Sequence, residues 1–331
     1  MNPSSAPRWL ADDSPLRIGV SACLLGRSVR HDGGHKRDRF LAEVLGPHVE
    51  WVPVCPEVEL GLGVPRPSIR IESHGDELRL IEPKTGVDHT RTMSGFAARR
   101  ARELERLDLS GYVLKKDSPS CGMERVRVHP PRGPAARNGR GFFARALLAR
   151  LPLLPVEEEG RLSDAPLREN WLERIFAYRR LRALFAGRWT VGGLVAFHTA
   201  HKLELLAHSE VDYRALGRLV ACAKALPRAE LRARYEAGFM GGLAKLASVR
   251  RHTNVLQHMI GHLREGLDRG DRAELAALVE DYRRERVPLA APLALLRHHV
   301  RRLDVAYLRG QLYLEHPHGR VGPWRRSEPN G

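Results

Sequence analysis

The sequence predicts an α/β domain, Rossmann-like with a mostly parallel sheet, followed by an all-α domain. Three observations predict it. From about residue 16 to residue 156, short β-rich runs alternate with helical stretches and Gly/Pro turns, the pattern of strands and crossover helices in a parallel sheet. From Pro166 to Leu314 nearly everything reads as amphipathic helix. Between them lies an acidic, turn-like Glu157–Gly160, after which the charge balance shifts: residues 161–331 hold 30 Lys and Arg against 18 Asp and Glu, and residues 1–160 hold 25 against 21. Domain bounds of 1–160 and 161–331 follow.

The candidate strands are Arg17–Ala22, Glu50–Val54, Ile69–Ile71, Tyr112–Lys115 and Leu153–Val156, each short, rich in β-branched or aromatic residues and bounded by turn formers. Helices are expected over Lys36–Leu45, Arg91–Leu107 and Phe142–Leu151, the second with apolar residues at helical spacing and no glycine after Gly95. Gly61–Pro67 and Pro130–Gly141 read as loops from their Gly and Pro content. In the second half Trp171, Ile175, Tyr178, Leu181, Leu184 and Phe185 form one apolar stripe. Further stripes at Leu194–Leu206, Leu216–Leu226, Leu243–Leu267 and Leu293–Leu312 predict five to eight helices with Trp171, Phe185 and Leu194 in the core. No solenoid repeat is present.

At 331 residues and 43% hydrophobic the chain can bury a core in each domain. It has no apolar run long enough for a transmembrane helix, and MNPSSAPRWLADDSP lacks the basic-then-apolar layout of a secretion signal, so no membrane and a cytoplasmic location are expected. The net charge is +16, carried overwhelmingly by arginine. Guanidinium suits planar, bidentate recognition of phosphate, which makes a polyanion the natural partner; a surface merely solvated by arginine is the plain alternative.

Four well-separated cysteines without a C-x-x-C pair make a poor disulfide framework. Cys23, Cys55 and Cys121 each follow a predicted strand (RIGVSAC, VEWVPVC, GYVLKKDSPSC), and in a parallel sheet the carboxyl ends of strands share the edge where ligand sites form. Cys222, within LVACAKAL, reads as a buried small hydrophobe. Three thiolates suit zinc completed by His31, His35 or His74, or a four-iron cluster with one iron left open; spacing alone leaves both open, together with three unrelated thiols. Around them stand Glu57, two residues beyond Cys55, and Lys115, Lys116, Asp117, Ser118 and Ser120 ahead of Cys121. Asp32, Gly33 and Gly34 form a turn whose backbone N–H groups can meet a polar substrate.

SACLLG with VRHDGG, PVCPEVELGLGVPRP, LKKDSPSCG and GRGFFARAL, in this order across residues 17–156, resemble the thiouracil desulfidase (TudS-like) family. FHTAHKLELLAHS, RHTNVLQHMIGHL and YRRERVPLAAPLALLRHH, across residues 165–317, are similar to the YbgA-like helical domain, and the combination resembles RNA-directed desulfidases that convert 4-thiouridine in tRNA to uridine. The resemblance implies a [4Fe-4S] cluster on Cys23, Cys55 and Cys121. It also implies Glu57 and Ser118 as the acid/base pair, and a sulfur-containing pyrimidine as substrate. Replacing sulfur by oxygen needs no net redox change, so neither nicotinamide nor flavin is expected. His31 departs from the aromatic residue common before the Asp-Gly pair in related sequences. Lys115, Lys116, Asp117 and Ser120 would orient the substrate. The helical domain would hold tRNA, with Lys202, Arg250, Arg251, His252, Asn254 and Arg301 as candidate contacts; for the RHTN run a helix cap with a solvated face is the plain alternative. Two rival functions are a desulfidase of free thiouracil or thiouridine monophosphate and a non-catalytic, metal-bearing RNA-binding module.

Overall fold

The computed structural model describes residues 9–10 and 15–315. Most of the N-terminal stretch inspected for a targeting signal, residues 1–8 and 11–14, lies outside them. The chain forms two compact units, one ending at Trp171 and the other beginning at Leu172 and taking in Trp9.

In the first unit β1 (Leu16–Ser21), β2 (Val49–Val54), β5 (Gly111–Leu114) and β8 (Val156–Glu158) form a sheet in the order β2-β1-β5-β8, every pair parallel. Its central strands are apolar on both faces: Ile18, Val20, Tyr112, Val113 and Leu114 are fully buried, as expected of a sheet covered on each side. Gly19 is needed because a Cβ there would stand 2.1 Å from the Tyr112 ring. The covering helices include α2 (Thr90–Glu105), burying Met93, Phe96, Ala97, Ala101 and Leu104, and α3 (Phe142–Arg150), burying Phe142, Phe143, Ala144 and Leu147. Since all four strands run the same way, the segments after β1, β2, β5 and β8 leave from one edge.

Four sequence expectations are corrected. A second sheet, β4-β3-β6-β7, is built from β3 (Arg70–His74), β4 (Glu77–Ile81), β6 (Val126–His129) and β7 (Ala136–Gly139), with antiparallel outer pairs. β7 lies inside the stretch read as loop; β7 is an edge strand whose first three residues are exposed, so no apolar alternation marks it. Glu157–Gly160 is not simply a turn, since β8 runs through Glu158. Both glutamates are buried and satisfied, Glu157 by Arg161 at 2.6 Å and Glu158 by the backbone N–H of Met123 at 2.7 Å. The helix expected over Lys36–Leu45 is only a short π-type helix over Phe40–Leu45. Ahead of it the chain runs beside the Cys23 segment, with Lys36 and Asp38 N–H donating to the Cys23 and Leu24 carbonyls.

In the second unit the helices are α4 (Ala165–Phe185, entering from the first unit), α5 (Val191–Ala200), α6 (Lys202–His208) and α7 (Glu210–Ala221). They continue with α8 (Arg228–Leu243), α9 (Val249–Leu263), α10 (Arg269–Arg283), α11 (Ala290–Arg302) and the single turn α12 (Ala306–Arg309). That is nine among the described residues, because the stripe over Leu194–Leu206 is broken at His201 into α5 and α6. Thr190, Ser209, Ser248 and Asp268 cap α5, α7, α9 and α10 by accepting a backbone N–H from the first turn. Trp171, Phe185 and Leu194 are buried as expected. Cys222 is the fourth correction: it is the exposed C-cap of α7, and Ala223 beside it turns inward. No helix among the described residues is long and apolar enough to cross a membrane.

Candidate active site

The three cysteines leave three adjacent strands at one edge. Cys23 sits in a 3₁₀ turn directly after β1, Cys55 directly follows β2, and Cys121 lies in the loop after β5. All are free thiols; Cys23 and Cys121 are buried and Cys55 half-buried. Burial pushes the Cys23 thiol up to about 11, with the Cys55 charge adding to it. Burial drives Cys121 higher still, reinforced by Cys55, Glu57 and Cys23, and burial also raises Cys55. Three thiols that each resist ionisation, two of them sensing others of the trio, form a donor set that only a bound cationic group would turn into thiolates. Among the described residues no three Cys, His, Asp or Glu side chains are close enough to share a single metal ion. A polynuclear cluster presents its metals at separate corners and so takes ligands standing farther apart, which fits this set better than the zinc alternative with His31, His35 or His74.

The Cys121 loop owes its shape to glycine and to α3. The N–H groups of Phe142, Phe143 and Ala144, which a helix start leaves unpaired, donate to the carbonyls of Pro119 and Ser120 at 3.0–3.1 Å. This requires Gly141: a Cβ there would lie 2.4 Å from the Ser120 carbonyl oxygen. Ser118 Oγ accepts the N–H of Ser120 (3.3 Å) and of Cys121 (3.1 Å). With both bonds arriving from the backbone, its own proton is free to point at Ser120 Oγ, 3.1 Å away. Ser120 Oγ in turn donates to Glu57 Oε1 at 2.5 Å.

Glu57 lies on the single helical turn α1 (Pro56–Glu59) that Cys55 begins. Its other oxygen, Oε2, accepts a fork from Arg66 Nε (2.9 Å) and Nη2 (2.7 Å), and the Arg66 side chain is only 3% exposed. Arg66 is fixed by the Gly/Pro loop: its N–H donates to the His31 carbonyl and Nη1 to the Gly63 carbonyl. One continuous path therefore runs Ser118, Ser120, Glu57, Arg66 and on to the turn that carries Asp32.

The sequence-selected residues sort accordingly. Glu57, Ser118 and Ser120 are brought together, with Ser120 as the bridge. Asp32 is exposed and occupied within its own turn, accepting from Gly34 N–H at 3.0 Å and Arg30 at 3.3 Å. The Gly34 bond foremost holds its carboxyl below the usual range. Gly33 takes the left-handed conformation, φ 76°. Lys115 is ion-paired with Glu159, and Asp117 with Arg137 at 3.0 Å, so both brace the loop. Lys116 is exposed; its backbone N–H donates to Glu159 Oε2 at 2.8 Å, while its ammonium pairs with no carboxylate among the described residues.

In the helical unit Arg251 Nη1 donates to the carbonyls of His208 and Leu246, and His252 bonds Tyr313 OH at 2.8 Å while stacking on its ring. Those two are fastened into the fold; the helix cap is Ser248, ahead of the RHTN run, which itself lies within α9. Arg250, Asn254 and Arg301 are exposed, and Lys202 is half-buried. The residue that sequence reading missed is Arg66; its signal was a lone arginine between prolines nine residues after Glu57.

Residues 18–159 match a family model described as 2-thiouracil desulfurase, and residues 202–317 match one described as a protein of unknown function, DUF1722. The uncharacterized protein YbgA of Escherichia coli strain K12 is 38% identical over 148 residues, which are 44% of this chain and 88% of that protein. The uncharacterized protein YbbK of Bacillus subtilis strain 168 is 30% identical over 110 residues, 32% of this chain and 72% of that protein. Among solved structures, a [4Fe-4S]-dependent thiouracil desulfidase, TudS, is 32% identical, with 46% of this chain and 97% of that one covered at a TM-score of 0.38.

Proposed function

Because the chain belongs to the family that joins a 2-thiouracil desulfurase domain to a YbgA-like helical domain, we propose that it is a [4Fe-4S]-dependent desulfidase that converts 4-thiouridine in tRNA to uridine. The observation that carries this reading is the juxtaposition at one sheet edge of three thiols and a hydrogen-bonded Glu57–Ser120–Ser118 relay.

Cys23, Cys55 and Cys121 would hold the cluster. When bound by three thiolates, such a cluster keeps one iron open and supplies a Lewis acid with an affinity for a soft thiocarbonyl sulfur. The chain's own residues do the rest. Glu57 Oε1 accepts the proton of a water that adds to the thiolated ring carbon. Arg66, holding Oε2, keeps the carboxylate turned so that Oε1 faces Ser120 and the reacting water. Ser120 passes a proton between Glu57 and Ser118, and Ser118 lends it to the ring nitrogen as water adds; when the carbon–sulfur bond gives way, the nitrogen returns that proton and the adduct's hydroxyl gives up its own, and the departing sulfur takes both. The balance is one thiocarbonyl and one water in, one carbonyl and one hydrogen sulfide out. Lys116, whose ammonium pairs with no carboxylate among the described residues, would meet a substrate phosphate; the Gly33 and Gly34 N–H groups are spent within their own turn, on the Arg30 carbonyl and Asp32 Oδ1, and leave the substrate none.

The RNA assignment draws on the helical half's excess of positive charge, with Arg250, Asn254, Arg301 and Lys202 as its contacts. Incubating the iron–sulfur-reconstituted protein with bulk tRNA under anaerobic conditions, followed by nucleoside analysis, tests it. Loss of 4-thiouridine with matching gain of uridine and sulfide is expected. Unchanged tRNA together with sulfide release from free thiouracil or thiouridine monophosphate would replace RNA by the free pyrimidine as substrate. A colourless, zinc-loaded protein inert on both would leave a non-catalytic binding module.

A further inference from the structure

The helical unit holds a cavity of about 520 Å³ that the desulfidation site does not use. Its walls come from α5, the first residue of α6, α7 and the turn that follows α7. Val191, Val195 and Val220 make them apolar, and Val195 is 43% exposed at the cavity. Its polar groups are His198, Thr199, Lys202 and Lys224.

His198 is the unusual member. It is 3% exposed, and its Nε2 has no hydrogen-bond partner, although burying an unpaired ring nitrogen is costly. Its Nδ1 lies 3.2 Å from the hydroxyl of buried Tyr235. Of the two possible arrangements, the one that satisfies the tyrosine proton has Tyr235 donate to Nδ1, which puts the imidazole hydrogen on Nε2. Burial, aided by Lys202, lowers the histidine to about 4, so the ring is neutral and carries that single N–H. His198 lines the cavity with its Nε2 buried beneath the surface, 4.0 Å from where a Cβ on Gly217, another lining residue, would stand. Lys202 and Lys224 supply two cationic donors that pair with no carboxylate among the described residues, whereas many arginines of this unit are ion-paired on their own helix.

An apolar cavity with donors of this kind is complementary to a ligand bearing an anionic group at the lysines, a carbonyl toward His198 and a flat or apolar body on the valines. We propose that this cavity binds a uridine nucleotide unit, its phosphate between Lys202 and Lys224 and a pyrimidine carbonyl on His198 Nε2. The volume falls within the range of small-ligand sites, roughly 300–1,000 Å³. The choice of nucleotide over other small anions rests on the desulfidase reading, which gives the chain a pyrimidine nucleotide substrate. Such a site would grip a nucleotide other than the one undergoing reaction, as a free monophosphate or as one residue of an RNA.

The test is binding to the full-length protein of uridine 5′-monophosphate, of a short uridine-rich single-stranded RNA and of inorganic phosphate alone, measured calorimetrically. Two independent variants are used. Lys202→Ala/Lys224→Ala removes the charge. Gly217→Leu adds a side chain at a helical position whose Cβ would lie 4.0 Å from His198 Nε2, obstructing the cavity while favouring helix over glycine. Each is expected to weaken nucleotide binding by about tenfold or more, the scale of one lost charge-assisted hydrogen bond, with phosphate alone binding far more weakly than the nucleotide. Saturation by the free nucleotide identifies a mononucleotide site; binding of the oligomer only, still lost in both variants, identifies an RNA contact. Affinity unchanged in both variants, or no binding of either uridine ligand, overturns the proposal. Sulfide release from free thiouracil is scored in parallel: a protein that binds uridine ligands through this cavity but releases no sulfide leaves the cavity and removes the desulfidase reading, and the converse result removes only the cavity.

Discussion

The sheet edge and the histidines of the helical unit arrange their polar groups differently. At the edge of the parallel sheet the titratable and hydroxyl groups are joined in series, Arg66 to Glu57 to Ser120 to Ser118, each at hydrogen-bond distance from the next. In the helical unit, by contrast, several histidine nitrogens are buried without a hydrogen bond: Nε2 of His198, Nε2 of His201, which stands 3.8 Å from Glu204 Oε2, and both ring nitrogens of His299. His201 lies against the Phe197 ring at 4.1 Å. A connected network can move a proton, whereas an isolated buried base can only resist one. The contrast separates a unit built to react from a unit built to pack and to bind, and each variant below probes one side of it.

The largest effect belongs to the thiols. Cys23→Ala, Cys55→Ala and Cys121→Ala are each expected to abolish both the visible absorption of the reconstituted protein and its sulfide release. Cys222→Ala, an exposed helix cap in the other unit, is expected to leave both unchanged. Full activity in any of the first three would dissolve the trio as a ligand set.

Next comes the network. Glu57→Gln preserves shape but turns one of the two acceptor oxygens into an amide donor and cannot take a proton, so turnover should fall by roughly 10²–10⁴, the usual worth of a positioned general base. Ser120→Ala should cost about tenfold if a water can replace the bridge. Arg66→Lys keeps the charge but loses the two-pronged grip on Oε2; it should lower turnover more than it raises KM. If Arg66→Lys instead changed KM alone, Arg66 would belong to substrate binding and not to the orientation of Glu57.

How far the sequence foretold this site depends on whether a residue's role is local. The strand-end cysteines, the glycine turn and the α3 start were legible because each is announced by its own neighbours: VPVC, HDGG, GRGFF. The Glu57–Ser120 bond was not, because it joins residues 63 positions apart and nothing in SPSC says which serine turns toward the second strand. Arg66 was hidden for the same reason, a side chain whose partner is chosen by the fold. β8 was read partly as a turn because three consecutive glutamates look solvent-exposed, and only the structure shows Arg161 and the Met123 N–H satisfying two of them. Cys222 erred the other way: an apolar run predicts burial, but the run ends at a helix terminus.

A smaller effect should appear in acid, on the helical side of the comparison. His198 titrates at about 4 in the folded protein because burial, with Lys202, disfavours its charge, against about 6.5 when unfolded. Between these values the unfolded chain binds more protons than the folded one, so stability falls as the pH is lowered from about 6.5 towards 4, by on the order of 3 kcal/mol from this residue. His201, lowered further by complete burial, acts in the same direction. His208 opposes them. Its pairing with Glu173 at 2.9 Å outweighs burial and raises it, so its contribution is complete below about 6.5 and is lost as the pH rises through its folded value. Calorimetric melting as a function of pH should show the helical unit weakening below pH 6.5, and His201→Phe should flatten that slope; an unchanged slope would mean that these rings are not buried neutral.

The smallest effect is the most discriminating for the comparison, because it asks whether the helical unit's stability reaches the reaction at all. Ser248 caps α9, accepting the Arg251 N–H, and Arg251 in turn holds the carbonyls of His208 and Leu246. Ser248→Ala removes the cap at a cost of about 1 kcal/mol, a loss that should lower the melting temperature of the helical unit. Desulfidation of free thiouracil should be untouched, since neither Ser248 nor α9 contributes to the sheet edge, while turnover on tRNA should fall if the unit must be ordered to hold the RNA. Equal losses on both substrates would show that the helical unit supports the active site itself, and the division between a reacting half and a binding half would have to be redrawn.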